Sequence, residues 1–218
     1  MVKTILVTGA SGFIGAAFVK MFGSVAGRLG YQLMSLVRKP TGLPGELVLD
    51  FENSDFGYEI KKLRSVDTVL HLGAKVDFTL QHSELSNANV TATRILADWT
   101  GYTDTHFILA SSISVYGVLA TDIRLENTLK PDSYYAQSKL EAEQVVRQSV
   151  TNHLILRLAG VYGNNGKHLM LNETIAQAQQ GIIPTVTGSG EWLRNYIYLV
   201  DLTHLLAFCI KTRKLGTH

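Results

Sequence analysis

One cysteine in 218 residues, Cys209, has nothing to pair with, so no disulfide framework can form and no cysteine-based zinc cluster is available. It lies in the apolar stretch DLTHLLAFCI, and cysteine scarcity of this kind fits a reducing cytoplasm. An excess of one charge is also lacking. Lys and Arg total 20 against 18 Asp and Glu, a formal +2, and the basic residues are scattered rather than gathered into a stripe. A nucleic-acid partner is therefore not expected. No window reaches the roughly 18 apolar residues of a membrane span, and the apolar run in MVKTILV stops at Thr8-Gly9, too soon for a signal peptide. A membrane partner is not expected either, and no metal site is foreseen. Internal repeats, low-complexity tracts and long linkers are missing as well.

What remains is the balance of a globular domain, 46% hydrophobic and 17% charged, long enough for one substantial core. Short β-branched runs at Thr4–Thr8, Gln32–Val37, Glu46–Leu49, Thr68–Leu72, His106–Ala110 and His153–Leu156 read as strands. Segments of helical period run from Gly12 to about Phe22 and over Glu84–Trp99, Tyr134–Val150, Lys167–Gln180 and Asp201–Lys211. Their alternation predicts an α/β fold, a Rossmann-like doubly wound parallel sheet. Loops are marked by RKPTGLPGE and GNNGK. After Gly160 the pattern is less regular, with short strands expected at Pro184–Thr187 and Tyr196–Tyr198. Residues 1–160 thus read as the main unit and 161–218 as a small cap packed on it, the two forming one globular whole.

The first strand feeds a helix through VTGASGFIG, whose Gly9, Gly12 and Gly15 are evenly spaced. A helix begun this way leaves its first N–H groups free for a pyrophosphate. Gly9 would permit the turn, Gly12 the approach of phosphate, and Gly15 close packing of helix on strand. The loop alone is also readable as a tight turn, since the spacing is not the G-x-G-x-x-G of ordinary dinucleotide domains, but its place at the first βα junction leans toward a cofactor. The second strand ends in Arg38 and Lys39, where many NAD-binding domains place an acid for the ribose 2′-OH. Two cations suit a 2′-phosphate, which favours NADP with NAD as the alternative; a merely solvated basic pair is the plainer reading. Further along, PDSYYAQSKLEAE puts Tyr135 and Lys139 four apart on a helix that Ser133 or Asp132 can cap. An ammonium group beside a tyrosine lowers its pKa by about 1–3 units. In isolation the pair also fits an ordinary amphipathic helix.

TGASGFIG at Thr8–Gly15, HLGA at His71–Ala74, SSISVYG at Ser111–Gly117, YAQSK at Tyr135–Lys139 and RNYIYLVD at Arg194–Asp201 follow one another in order along nearly the whole chain. In these the sequence resembles the extended short-chain dehydrogenase/reductase family, in its NAD-dependent epimerase/dehydratase branch. The resemblance implies an NAD(P)-binding domain in 1–160 and part of a substrate-binding region in 161–218. It makes Tyr135 the catalytic acid/base, Lys139 the residue that binds the nicotinamide ribose and lowers the Tyr135 pKa, and Ser112 the hydrogen-bond partner of the reacting hydroxyl or carbonyl. It also assigns the loop residues Gly9, Ser11, Gly12, Phe13, Ile14 and Gly15 to the cofactor, with Arg38, Asp50, Phe51, Leu72 and Ala74. Lys75 and Arg194 are assigned to substrate, Arg194 at the position that usually holds a substrate phosphate, and Asn89 supports the active site.

Ile113 and Ser114 stand where the family's sugar dehydratases carry adjacent Asp and Glu, so dehydration is not expected. The resemblance then implies hydride and proton transfer on a nucleotide-sugar, with an NADP-dependent carbonyl reductase or a non-catalytic NADP-binding redox sensor as alternatives. A homodimer through Glu84–Trp99 and Tyr134–Val150 is expected from the family. Relatives usually continue past the helix ending near Lys211, adding a strand and more of the cap, so the substrate region is expected to be incomplete.

Overall fold

Strand residues alternate between two buried faces, and this alternation places the sheet in the middle of the molecule. The computed structural model describes residues 1–77, 79–117, 123–164, 166, 170–184 and 194–218. In chain order the elements are β1 (Lys3–Thr8), α1 (Phe13–Ala26), β2 (Tyr31–Val37), β3 (Glu46–Val48), α2 (Phe56–Lys61), β4 (Thr68–His71), α3 (His82–Leu85), α4 (Ala92–Thr100), β5 (His106–Ser112), α5 (Tyr134–Ser149), β6 (His153–Leu158), β7 (Gly160–Tyr162), α6 (Met170–Gln179), β8 (Tyr196–Tyr198), α7 (Leu199–Thr212) and β9 (Gly216–Thr217). Among the described residues, seven strands form one sheet in the order β3-β2-β1-β4-β5-β6-β9, and every pairing is parallel.

Ile5, Val7, Leu70, Ile108, Leu154 and Leu156 point to one face, where Phe18, Val19 and Phe22 of α1 and Leu202, Leu206 and Ile210 of α7 cover them. Leu6, Val69, Phe107, Leu109 and Ile155 point to the other, against Phe56 and Ile60 of α2, Leu96 and Ala97 of α4, and Ala142, Val145 and Val146 of α5. The doubly wound parallel sheet expected from the alternation is what the chain forms. Among the described residues no helix is long and apolar enough to cross a membrane.

One element runs beyond the approximate bound read from the sequence, and two features depart from that reading. The first helix runs past Phe22 to Ala26 and continues as a 3-10 turn over Gly27–Leu29 before Gly30, at φ +77°, ends it. The segment read as one helix over Glu84–Trp99 contains a π-turn, Ser86–Thr91, between α3 and α4. Instead of ending on a helix, the chain turns at Arg213 and adds β9 beside β6. The elements not foreseen, α2, β7 and β9, have six, three and two residues, too few for periodicity to show.

The C-terminal stretch also holds a second sheet, in which β7 pairs in parallel with β8. Only Ala159 separates β6 from β7, so the chain passes from the main sheet to the small one in a single residue. Val161 and Ile197 pack on the core, while Tyr162 stacks near Tyr196 and Tyr198 with ring centroids 6.4 and 5.4 Å away. The helix read over Lys167–Gln180 is present as α6; residues 167–169, and 185–187 of the expected strand Pro184–Thr187, lie outside the described residues.

Candidate active site

The chain runs β1, β2, β3 outward and then crosses back to β4 on the other side of β1, which leaves a crevice at the carboxyl ends of β1 and β4. A cleft opens there. Its wall takes in Gly9, Ser11, Gly12, Arg38, Asp50, Phe51, Leu72 and Ala74, all expected at the cofactor, and Lys75, expected at the substrate. Ile14 and Gly15 stand behind it, Ile14 packing on the core and Gly15 buried in α1, while Phe13 is half-buried at the start of that helix.

Gly9 has φ +65°, and a Cβ there would meet the Gly73 backbone at 2.7 Å. At Gly15 a Cβ would collide with the Gly9 carbonyl oxygen, so helix and loop touch backbone to backbone. No side chain caps α1, whose N-cap is Gly12 and whose first turn carries no acid. Donors left bare at a helix start, over a loop with no side-chain bulk, fit a pyrophosphate. Gly15→Ala forces a methyl against main chain that cannot rotate away. It should lower stability by about 1–3 kcal/mol and weaken dinucleotide binding, to be read by urea denaturation and by fluorescence titration.

Arg38 is exposed at the end of β2, and Asp50 and Phe51 follow β3 on the same wall. The Lys75 ammonium is engaged with Glu52 at 3.1 Å, and both residues line the cleft. Asn89, from the π-turn, holds Lys75 by both backbone groups: its Oδ1 accepts from Lys75 N at 2.7 Å and its Nδ2 donates to Lys75 O at 3.1 Å.

Ser112 ends β5, and its hydroxyl accepts from the Ser114 amide at 3.1 Å as a 3-10 turn begins. Ser133 caps α5, its hydroxyl accepting from Ala136 N at 3.2 Å, and so sets where Tyr135 and Lys139 stand on the first turns. Tyr135 and Ser112 are brought into hydrogen-bond contact. The electrostatics differ from the expected lysine-driven lowering of the tyrosine. Burial pushes the Tyr135 phenol up to about 12, and the Ser112 hydrogen bond only partly offsets this. Lys139 is itself 4% exposed; burial lowers it to about 8, against the pull of the Glu143 carboxylate. Burial is the larger cause for both groups, so the tyrosine is a neutral phenol at pH 7 and the lysine is mostly an ammonium.

One turn beyond Lys139, the Glu143 side chain is fully buried. It accepts from Arg157 Nε at 3.0 Å and Nη2 at 2.7 Å, from Ser111 Oγ at 2.6 Å and from Arg147 at 3.3 Å. Arg157 Nη1 also donates to Tyr116 Oη at 2.7 Å. Burial alone would raise the Glu143 carboxyl, but the hydrogen bonds from Arg157 and Ser111 hold it below the usual range. Sequence reasoning passed over Glu143, although it repeats the spacing of Tyr135 and Lys139; nothing in the sequence marks Arg157. Gly73 and Ser138 were likewise missed inside motifs that were quoted. Arg194 is exposed just before β8, apart from the residues of the cleft wall.

The sequence matches the NAD dependent epimerase/dehydratase family over residues 5–218. It is 32% identical over 175 residues to ADP-L-glycero-D-manno-heptose-6-epimerase of Cupriavidus pinatubonensis. That alignment covers 76% of this chain and 53% of the other, so the chain spans about half the length of this curated relative. UDP-N-acetylglucosamine 4-epimerase from Bacillus cereus superposes with a TM-score of 0.83 at 26% identity, covering 99% of this chain and 76% of that one. MoeE5, solved in complex with UDP-glucose and NAD, superposes with a TM-score of 0.81 at 26% identity, covering 98% and 74%. With the glycine loop at the crevice of a parallel sheet and the family's match running from β1 to the last residue, the chain belongs to the NAD dependent epimerase/dehydratase family.

Proposed function

We propose that the chain carries the nicotinamide-dependent active site of an enzyme that epimerises a nucleotide-sugar, with Ser112, Tyr135 and Lys139 as its catalytic set. The observation that carries this reading is the contact of Tyr135 with Ser112 one helical turn from a buried lysine. The named relatives support it: one is an ADP-heptose epimerase, one a UDP-sugar epimerase, and one was solved with both UDP-glucose and NAD. The cofactor, when bound, supplies a centre that takes up hydride and returns it. Tyr135 takes the proton from a sugar hydroxyl and gives it back to the carbonyl. Ser112 hydrogen-bonds that oxygen. The positive charge of Lys139 supports the phenolate, which burial in the unliganded protein opposes.

In this reading residues 1–160 hold the cofactor and 161–218 contribute to the substrate side, where Arg194 takes a phosphate and Lys75 changes partner from Glu52 to substrate. Gly9, Ser11, Gly12, Phe13, Ile14 and Gly15 form the phosphate cradle, with Asp50, Phe51, Leu72 and Ala74 along the adenosine. Arg38 and Lys39 at the end of β2 favour a 2′-phosphate, hence NADP over NAD. Arg38→Met should then weaken NADPH about tenfold or more and leave NADH within about twofold, measured by fluorescence titration. Equal loss of both, or of neither, removes the NADP preference.

The same two cations favour a second reading, an NADP-dependent carbonyl reductase. The two separate in paired assays, one with UDP- and ADP-sugars and NADP+, the other with candidate carbonyl compounds and NADPH. An epimerase interconverts sugars with no net change in absorbance, whereas a reductase consumes NADPH in step with product. If neither occurs while NADPH binds, the redox-sensor reading takes over. A homodimer would form through α4 and α5, whose outward residues Arg94, Asp98, Gln144 and Gln148 are exposed and polar. A cytoplasmic setting rests on the lone Cys209, which is buried in α7.

A further inference from the structure

Beneath the cleft runs a set of buried polar side chains that the proposed chemistry does not use. Thr8, His71, Asn89, Thr93 and Ser138 are each at most 2% exposed. Thr8 Oγ1 lies 2.6 Å from His71 Nδ1, and His71 Nε2 lies 2.9 Å from Thr93 Oγ1. Thr93 Oγ1 is 2.6 Å from the Asn89 carbonyl, and the Gly73 amide is 3.1 Å from Thr8 Oγ1.

The protons in this chain can be placed without freedom. A carbonyl only accepts, so the Thr93 hydroxyl must donate to Asn89 O, and its oxygen receives the proton on His71 Nε2. Nδ1 is then bare and accepts from the Thr8 hydroxyl, whose oxygen in turn accepts from Gly73 N–H. Every group is satisfied by one tautomer of a neutral ring. Burial first, and then the charge of Lys139, lower His71 to about 3, in keeping with that neutrality. The rings of Phe51 and Phe107 stand edge-on at 5.9 and 6.0 Å and oppose the ring flip that would reverse the pattern.

Both ends of the chain reach functional elements. Gly73 forms the cleft wall against Gly9. At the other end, Asn89 holds Lys75 and donates to Ser138 Oγ at 3.0 Å, and Ser138 Oγ donates to the carbonyl of Tyr135 at 2.8 Å. We propose that His71, locked in its Nε2–H tautomer, is a positioning residue that couples the cofactor-facing loops after β1 and β4 to the π-turn and the first turn of α5. This rests on reading the cleft as the cofactor's, but the coupling itself can be measured without turnover.

The test uses the full chain and the variants Thr93→Val, Thr93→Ser, Thr8→Val and the Thr8→Val/Thr93→Val pair. Thr93 does not line the cleft, yet Thr93→Val should weaken NADPH binding about fivefold or more, while Thr93→Ser restores it. In the pair, the second substitution should add less than its effect alone. Amide exchange at Gly73 should quicken in Thr93→Val, and nitrogen NMR should show His71 protonated at Nε2. A change under about twofold in NADPH affinity, multiplicative effects in the pair, or an Nδ1–H ring would overturn the proposal. If the wild-type chain binds neither NADPH nor NADH, the cofactor reading falls. The coupling is then decided by exchange and tautomer, with unchanged Gly73 exchange counting against it.

Discussion

Glu143→Ala is expected to cost about 3–5 kcal/mol of folding stability, a large share of the roughly 5–15 kcal/mol that holds a domain together. The reason is what the substitution leaves behind. Arg157 is 5% exposed at the end of β6, and its guanidinium would keep its charge with the carboxylate gone. Ser111 and Tyr116 would lose their place in the same network. Glu143→Gln keeps the shape and one acceptor, so it should fall between wild type and alanine; urea denaturation followed by circular dichroism ranks the three. Acid gives an independent check. A carboxyl whose folded pKa is depressed stabilises the fold above its unfolded value, near 4.5, and loses that contribution as pH falls through the folded value. Wild type should therefore weaken below about pH 4.5 more steeply than Glu143→Ala. A variant that unfolds at the same urea concentration as wild type would show that the pair carries no net energy.

Tyr135→Phe should lower turnover about 10²- to 10⁴-fold, the usual worth of a positioned acid/base, while NADPH affinity and melting temperature stay close to wild type. The phenyl ring remains in its half-buried site and only the hydroxyl that meets Ser112 is lost. With the phenol pushed up to about 12, the unliganded protein holds this residue as an acid, ready to donate to a carbonyl oxygen. Use as a base requires further positive charge beyond Lys139, and an oxidised nicotinamide brings it. Turnover unchanged in Tyr135→Phe would remove the mechanism, and loss of binding along with turnover would make the residue structural.

Much of this was readable from the amino-acid order. Six of the seven strands of the parallel sheet announced themselves by β-branched runs between helical periods, and the glycines by their place at the first strand-to-helix junction. Tyr135 and Lys139 could be put on one helix face from spacing alone. The π-turn could not, because an extra residue in a helical turn leaves the apolar period almost unchanged, and it is this turn that aims Asn89 at Lys75 and Ser138. The sign of the Tyr135 shift was missed for a related reason. Spacing gives the proximity of a charge but not the loss of water around it, and here the loss of water is the larger effect.

The one-residue step from β6 to β7 has a mechanical meaning. Arg157 is pinned to Glu143, on the helix that carries Tyr135 and Lys139, and three residues later the chain is already in the small sheet. In the proposed function, a load that substrate placed on β7 and β8 would pass along that short arm to α5, with no slack loop to absorb it. The small sheet and the helix that carries Tyr135 thus form a single lever whose fulcrum is a buried ion pair.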